Sequence, residues 1–259
     1  MIAPALEGAR CAPTDAVAKF ATDHLSHSQI QSYLLCPRKW TYEKIEHAPK
    51  ERVGSALVFG IALHDACAAA NEAALTGEGY NAAVGFVSAW KLAIEQAGVP
   101  VHYGRDGADD LIAKGRALAA AYTPPSGIIG VEQPFEVLLH EDLPPIHGRI
   151  DLIRRTETGD LAIADLKSSS SRLLTETDAV EAQLSLYNEA YPAARHEVIV
   201  LAKTKVPTVT IQAITPWPRH HLVRQYQEVH HAMQAGVRFA NRGWQCDGCQ
   251  FVDRCKKEG

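Results

Sequence analysis

No stretch of this 259-residue chain holds enough consecutive apolar residues to span a bilayer. The opening MIAPALEGARCAPTDAV lacks the basic start and long apolar block of a secretory signal, so residues 1–23 read as a flexible N-terminal tail on a cytoplasmic protein. An excess of positive charge is missing too. With 26 Lys and Arg against 30 Asp and Glu, the net charge is −4, which gives no global support for nucleic-acid binding. It does not exclude such binding, because clustered acids at a metal site pull the total down while a local groove stays basic. There is no internal repeat, no low-complexity linker and no helicase motif, so the chain acts alone or with separate partners. What remains, 46% hydrophobic and 22% charged residues, describes an ordinary globular protein with material for a full core.

Six cysteines are unevenly placed. Cys246, Cys249 and Cys255 crowd into CDGCQFVDRC, and in a cytoplasmic chain this crowding reads as thiolate metal ligation before disulfides. Three thiolates leave a tetrahedral site one ligand short. Cys11 lies in the tail and Cys67 in an alanine-rich helical run, where it reads as a small core residue. Cys36, in SYLLCPRKW, ends an apolar helical stretch before a proline and is the fourth ligand this pattern favours. Spacing alone leaves zinc and an iron–sulfur cluster open.

Hydrophobic periodicity predicts a helix from His27 to about Ile45, capped by Ser26 or Ser28 and interrupted near Cys36-Pro37. Helices are expected over 54–76, with Phe59, Leu63, Ala66 and Ala70 on one face, over 80–97, and over 107–122 before Pro124-Pro125. The period then changes. Segments 128–140, 146–156 and 160–167 read as a three-strand meander, followed by a helix over 177–191, strands at 196–203 and 207–214, and a helix over 218–241. The fold class is α/β, with a mixed central sheet.

The stretch GRIDLIRRTETGDLAIADLKSS, residues 148–169, places one carboxylate in each of two apolar strands. A buried carboxylate is unfavourable by several kcal/mol unless it is paired or binds a metal. On adjacent antiparallel strands Asp151 and Asp165 can share a hard divalent cation, with the Leu166 carbonyl as a further oxygen ligand. Lys167 returns to the face of Asp165, since residues i and i+2 of a strand share a face. A structural salt bridge of Lys167 with the two acids is the competing reading of the same spacing.

These residues resemble the catalytic signature of the PD-(D/E)XK nuclease superfamily, with Asp165-Leu166-Lys167 as its D-x-K element. GSALVFGIALHDAC resembles the G-x-x-x-H helix of the RecB-like branch, and VEAQLSLYNEAY its Q-x-x-x-Y helix. SYLLCPRKWTYEKI and the terminal C-x2-C-x5-C resemble the split iron–sulfur module of CRISPR-associated RecB-like exonucleases and AddB-type helicase–nucleases. The resemblance covers about residues 26–255. It implies a restriction-endonuclease-like sheet flanked by helices, with an N-terminal helical insertion and an iron–sulfur module joining the chain ends. The parts would be 24–50 for the first half of that module, 51–127 for the helical region, 128–215 for the nuclease core and 216–259 for the C-terminal helix and cysteines. His64, Asp151, Asp165 and the Leu166 carbonyl would ligate Mg²⁺ or Mn²⁺, and Lys167 would position the attacking water. Gln183 and Tyr187 would line the site and contact DNA. Glu132 matches an acid often found on the first core strand, although a surface carboxylate is an equal reading. Cys36, Cys246, Cys249 and Cys255 would hold a [4Fe–4S] cluster.

The implied activity is exonucleolytic hydrolysis of single-stranded DNA or duplex ends, in repair, phage DNA metabolism or CRISPR spacer acquisition, with a helicase or an integrase complex as candidate partners. The alternative is a DNA-binding adaptor subunit without relevant cleavage. For DNA contact the sequence offers Arg38, Lys39, Arg149, Arg154 and Arg155, with Lys203 and Lys205 expected on one face of a strand. Trp40, Tyr42 and Trp217 are candidates for stacking on unpaired bases. The doublets His220-His221 and His230-His231 read as plain polar residues.

Overall fold

A computed structural model of the chain describes residues 22–175 and 177–258. Two short helices, α1 (His27–Leu35) and α2 (Pro37–Lys44), meet at Cys36, whose extended backbone and following proline end one helix and start the next. Ser26 caps α1 by accepting the Gln29 amide. The two-residue strand β1 (Val53–Gly54) leads into α3 (Ser55–Thr76), and α4 (Ala82–Ala97), β2 (Val101–His102) and α5 (Ala108–Ala121) follow. β1 and β2 form a small parallel pair that periodicity was too short to foretell.

The main sheet has five strands in sequence order: β3 (Ile128–Val137), β4 (Ile146–Arg155), β5 (Leu161–Ser169), β6 (Arg195–Ala202) and β7 (Thr208–Ala213). Its pairs are antiparallel except β5–β6, which are parallel because α6 (Asp178–Ala190) carries the chain back between them. The result is the expected mixed α/β sheet flanked by helices, consistent with a restriction-endonuclease-like fold. One core joins α3, α4 and α5 to Leu152, Ala164, Leu166, Ile199 and Leu201. Another places Val180, Leu184 and Tyr187 of α6 against Ile150, Ile163, Val198 and Val200. Cys67 is fully buried in the first, as its alanine-rich helix implied.

Two expectations need correction. The last long helix, α7 (Arg219–Gln234), stops well before residue 241, at a turn where Gly236 takes the left-handed conformation with φ 72°. A final short helix, α8 (Val252–Lys257), carries Cys255. Lys203 and Lys205 do not share a strand face: β6 ends at Ala202, and both lie in the turn before β7. No described helix is long and apolar enough to cross a membrane. The tail expected over residues 1–23 lies almost entirely outside the described residues.

Candidate active site

β4 and β5 are hydrogen-bonded only from Arg155↔Leu161 to Leu152↔Ala164. Beyond that pair β4 keeps β3 as its neighbour and β5 keeps β6, so the two strands part as a fork. Asp151 and Asp165 stand one residue past the last pair on either prong. A buried backbone N–H that loses its strand partner must find another acceptor. At the fork Asp151 provides it, accepting the Leu166 amide on Oδ2 at 2.8 Å.

Neighbouring elements converge on the fork. α3 brings His64, whose Nε2 lies 3.1 Å from Asp151 Oδ2 and 3.4 Å from Glu132 Oε1. Glu132 sits in β3 with a left-handed backbone, φ 49°, unusual for a side chain of its size. Among the described residues, His64, Glu132 and Asp151 form the group of potential metal ligands whose donor atoms all lie within 4.8 Å of one another. From α6, Tyr187 Oη approaches Asp165 Oδ1 at 3.5 Å and accepts from Gln183 Nε2 at 2.7 Å. Lys167 Nζ donates to Gln183 Oε1 at 2.9 Å and lies 2.8 Å from Asp165 Oδ2.

The electrostatics follow from this packing. Burial pushes the Asp165 carboxyl up to about 6, against the pull of the Lys167 ammonium. Burial also acts to raise Asp151, but the hydrogen bond and charge of His64 outweigh it and hold Asp151 below its ordinary value. His64 is drawn up to about 9 because Asp151 and Glu132 overcome the opposing effect of burial. Burial opposes the charge on Lys167, yet Asp165 keeps its pKa raised, so the side chain is an ammonium. Glu132 Oε1 is a buried oxygen with no hydrogen bond, whereas Asp165 Oδ2 has the Lys167 ammonium as its partner. A buried carboxylate oxygen left without a hydrogen bond, beside an imidazole and a second acid, suits a hard divalent cation.

The fork therefore gathers His64, Glu132, Asp151, Asp165, Lys167, Gln183 and Tyr187, with Asp165, expected as a metal ligand, paired to Lys167 and outside the close ligand group. Glu132, given no better than an even reading from sequence, is the residue whose place sequence reasoning undervalued. The candidate DNA contacts fare differently. Trp40 and Tyr42 are buried, at 2% and 1% exposure, so neither offers a free face for stacking, while Trp217 is half-buried and donates its Nε1–H to Glu181 Oε2. Arg154 is committed to a largely buried ion pair with Glu197 at 2.9 Å. Lys203 rests over the Phe59 ring at 4.9 Å, and burial lowers its pKa. Arg149 is exposed and stands 3.7 Å from Glu132. His220 and His221 are exposed, whereas His230 is buried.

Apart from the fork, Cys36, Cys246, Cys249 and Cys255 line one cavity of about 270 Å³ together with Leu35, Lys39 and Tyr42. Burial raises the Cys249 thiol, with Lys39 acting in the opposite sense.

Comparison with known proteins adds a family. The model described as the PD-(D/E)XK nuclease superfamily matches residues 24–256. Among solved structures, the chain is similar to a Eubacterium rectale protein provisionally assigned as an exonuclease, with 13% identity, a TM-score of 0.56, and coverage of 92% of this chain and 88% of that one. It also matches the crystal structure of SSO0001 at 17% identity and a TM-score of 0.41, covering 89% of this chain and 98% of that one. No curated protein matches in sequence.

Proposed function

The chain belongs to the PD-(D/E)XK nuclease superfamily, whose members are divalent-metal-dependent nucleases, and from that premise we propose a RecB-like deoxyribonuclease acting on single strands or duplex ends. The observation that carries the reading is the fork, which sets a three-residue ligand group beside an acid–lysine pair. His64, Asp151 and Asp165 would hold Mg²⁺ or Mn²⁺. Glu132 joins them through its buried oxygen, and Leu166 fixes Asp151 through its amide while offering its carbonyl. The cation, when bound, neutralises charge on the scissile phosphate and makes a water a better nucleophile.

The remaining work falls to side chains. Lys167, kept protonated by Asp165, acts as a fixed cation that orients the water and balances the negative charge developing on phosphorus. Gln183 holds the Lys167 ammonium in place and is itself held by Tyr187, so α6 sets the direction of the lysine. The test is incubation of end-labelled single- and double-stranded DNA with Mg²⁺ and, separately, Mn²⁺. Progressive shortening of at least one substrate is expected; intact label with both ions and both substrates would overturn the reading.

The four cysteines belong to the same proposal, as ligands of a [4Fe–4S] cluster that ties the start of the chain to its end. The four thiols line one cavity, and four thiolates suit tetrahedral zinc as well as a cluster. The preference for iron rests on the resemblance of the cysteine pattern to the split iron–sulfur module. A cluster there serves structure, because phosphodiester hydrolysis transfers no electron.

A further inference from the structure

Beyond the fork, the space between the parted strands continues into a pocket of about 400 Å³, within the usual range for small-ligand sites. Lys167, Gln183 and Tyr187 line it, so it shares a wall with the candidate site. Its opposite walls come from the start of α1, the first turn of α6, and the β3–β4 ladder beyond Glu132 and Asp151. The chemistry of the lining is mixed. Phe135 provides most of the apolar surface, with the largely buried Val180 and Leu186 behind it, while Ser28, Gln31 and Arg149 stand at its polar parts.

The apolar wall is deliberately flat at one point. Phe135 pairs across the ladder with Gly148, and a Cβ added at Gly148 would come within 2.4 Å of the Phe135 ring. Only glycine lets the ring lie over β4 there, and the ring is held edge-on to Tyr187, with centroids 5.7 Å apart. The other side is braced as well. His27 Nδ1 lies 2.9 Å from Tyr226 Oη, tying the start of α1 to α7.

We propose that this pocket receives one unpaired nucleobase, that of a nucleotide adjoining the phosphate to be cut. The inference rests on the nuclease reading of the fork and deepens it by choosing single-stranded over fully paired DNA. A phosphate alone gains nothing from the Phe135 ring. A base stacked inside a duplex has no free face to give it. A base drawn out of its stack has both an apolar face for the wall and polar edges for Ser28, Gln31 and Gln183, while Arg149 meets the backbone.

Ala179 offers the test, being an exposed pocket-lining residue of α6 that takes no part in the candidate chemistry. Fluorescence anisotropy in EDTA, so that nothing is cut, would compare wild type with Ala179→Phe, which fills the pocket, and Ala179→Ser, which does not. Three probes are used: a labelled twelve-residue oligothymidylate, the same backbone with every base replaced by an abasic spacer, and a blunt duplex. Ala179→Phe is expected to weaken the oligothymidylate about tenfold, the loss of one stacked base, while leaving the abasic strand and duplex unchanged. Should circular dichroism show that Ala179→Phe has not folded, Ser28→Trp blocks the pocket from α1 and carries the same expectation. Equal weakening of the thymidylate and abasic strands would show that only backbone is held, and no weakening of either would show that the pocket is unused. Both results, like a failure of wild type to prefer the thymidylate over the abasic strand, overturn the proposal. Cleavage with Mg²⁺ is scored separately: base-dependent binding without cleavage would sink the nuclease reading and spare the pocket, and cleavage without base dependence would do the reverse.

Discussion

At the fork, each acid stands on a strand whose backbone is already hydrogen-bonded on its other side, and each has a neighbour that restricts it. At the cysteine end the supports are sparser. The local core is Tyr42, Ala48 and Phe251, with Cys249 and Cys255 packed against it. Much of the rest is polar: Glu51 caps α8 by accepting the Asp253 and Arg254 amides at 2.9 and 2.8 Å, Arg52 pairs with Asp253, and Arg254 pairs with Glu46. Partly exposed ion pairs of this kind contribute about 0–1 kcal/mol each. One region is shaped by the sheet before any ligand arrives. The other has four thiols around a cavity and little apolar burial to hold them there. They should therefore respond to mutation in opposite ways, the fork losing chemistry while keeping its fold, the cysteine end losing its fold first.

The sharpest break between the two is at Asp165 and Lys167. Asp165→Asn or Lys167→Ala should reduce cleavage by roughly a hundred- to a thousandfold, the scale of losing one fixed charge at a transition state. DNA binding and thermal unfolding should change little, because the strands carrying these residues are held by β6 and by the two cores. Near wild-type cleavage by both variants would remove them from the site.

The converse experiment is Cys36→Ala or Cys249→Ala. A cluster joining residue 36 to residues 246–255 closes most of the chain into a loop, and fixing so long a loop stabilises a fold by several kcal/mol in the loop-entropy account. Protein prepared without air should be brown, and these variants should lose colour and solubility together, with activity falling only as the folded fraction falls. The damage has a path to the fork: Gly248 of the cysteine loop packs on Gly54, the residue just before α3, and α3 carries His64. Colourless wild-type protein holding one zinc would discard the cluster and leave the fork untouched.

The order of the elements was legible from periodicity, because strands of β-branched residues and helices with an alanine-rich face declare their own spacing. The D-x-K element and the cysteine spacing were legible for a different reason: their chemistry tolerates few other residue types. What sequence could not convey was where neighbours part. Nothing in the residues from Gly148 to Ser169 says that the β4–β5 ladder stops at Leu152, yet that stop makes the site. Burial misled in the same way. Trp40 and Tyr42 sit among Arg and Lys in sequence, which suggested stacking platforms, but the helix turns their rings inward. Lys203 looked like a phosphate contact, and a ring from α3 lies under it.

A milder intervention at the fork is His64→Ala. Removing one of three close ligand groups should raise the Mg²⁺ needed for half-maximal cleavage about tenfold or more, while the maximal rate at saturating metal falls less. The variant should still fold, since the half-exposed His64 side chain contributes to the site more than to the core. An unchanged metal titration would return His64 to the status of an ordinary helix residue.

The smallest effect expected is at Glu132, and it bears most directly on how the fork differs from the cysteine end. A non-glycine residue held left-handed is disfavoured by about 1–2 kcal/mol, and such strain is tolerated where surrounding structure imposes it. Burial raises the Glu132 carboxyl, with His64 and Arg149 acting against it and the Asp151 charge with it, so the side chain is disfavoured by its backbone and by net desolvation of its charge. Glu132→Gly relieves the left-handed strain and the crowding of acids, and offsets part of that gain through the greater freedom of glycine in the unfolded chain. The balance should leave stability unchanged or raised by up to about 1 kcal/mol, a modest rise in melting temperature in the absence of metal. The same variant should require several times more Mg²⁺ for half-maximal cleavage, because a ligand oxygen has gone. Glu132→Gln separates the two effects: it keeps the strained backbone and removes the charge, so it should share the metal defect with a smaller gain in stability. A clear fall in melting temperature for Glu132→Gly would mean that Glu132 supports the fold, and the left-handed residue would then need an explanation other than the placing of a ligand.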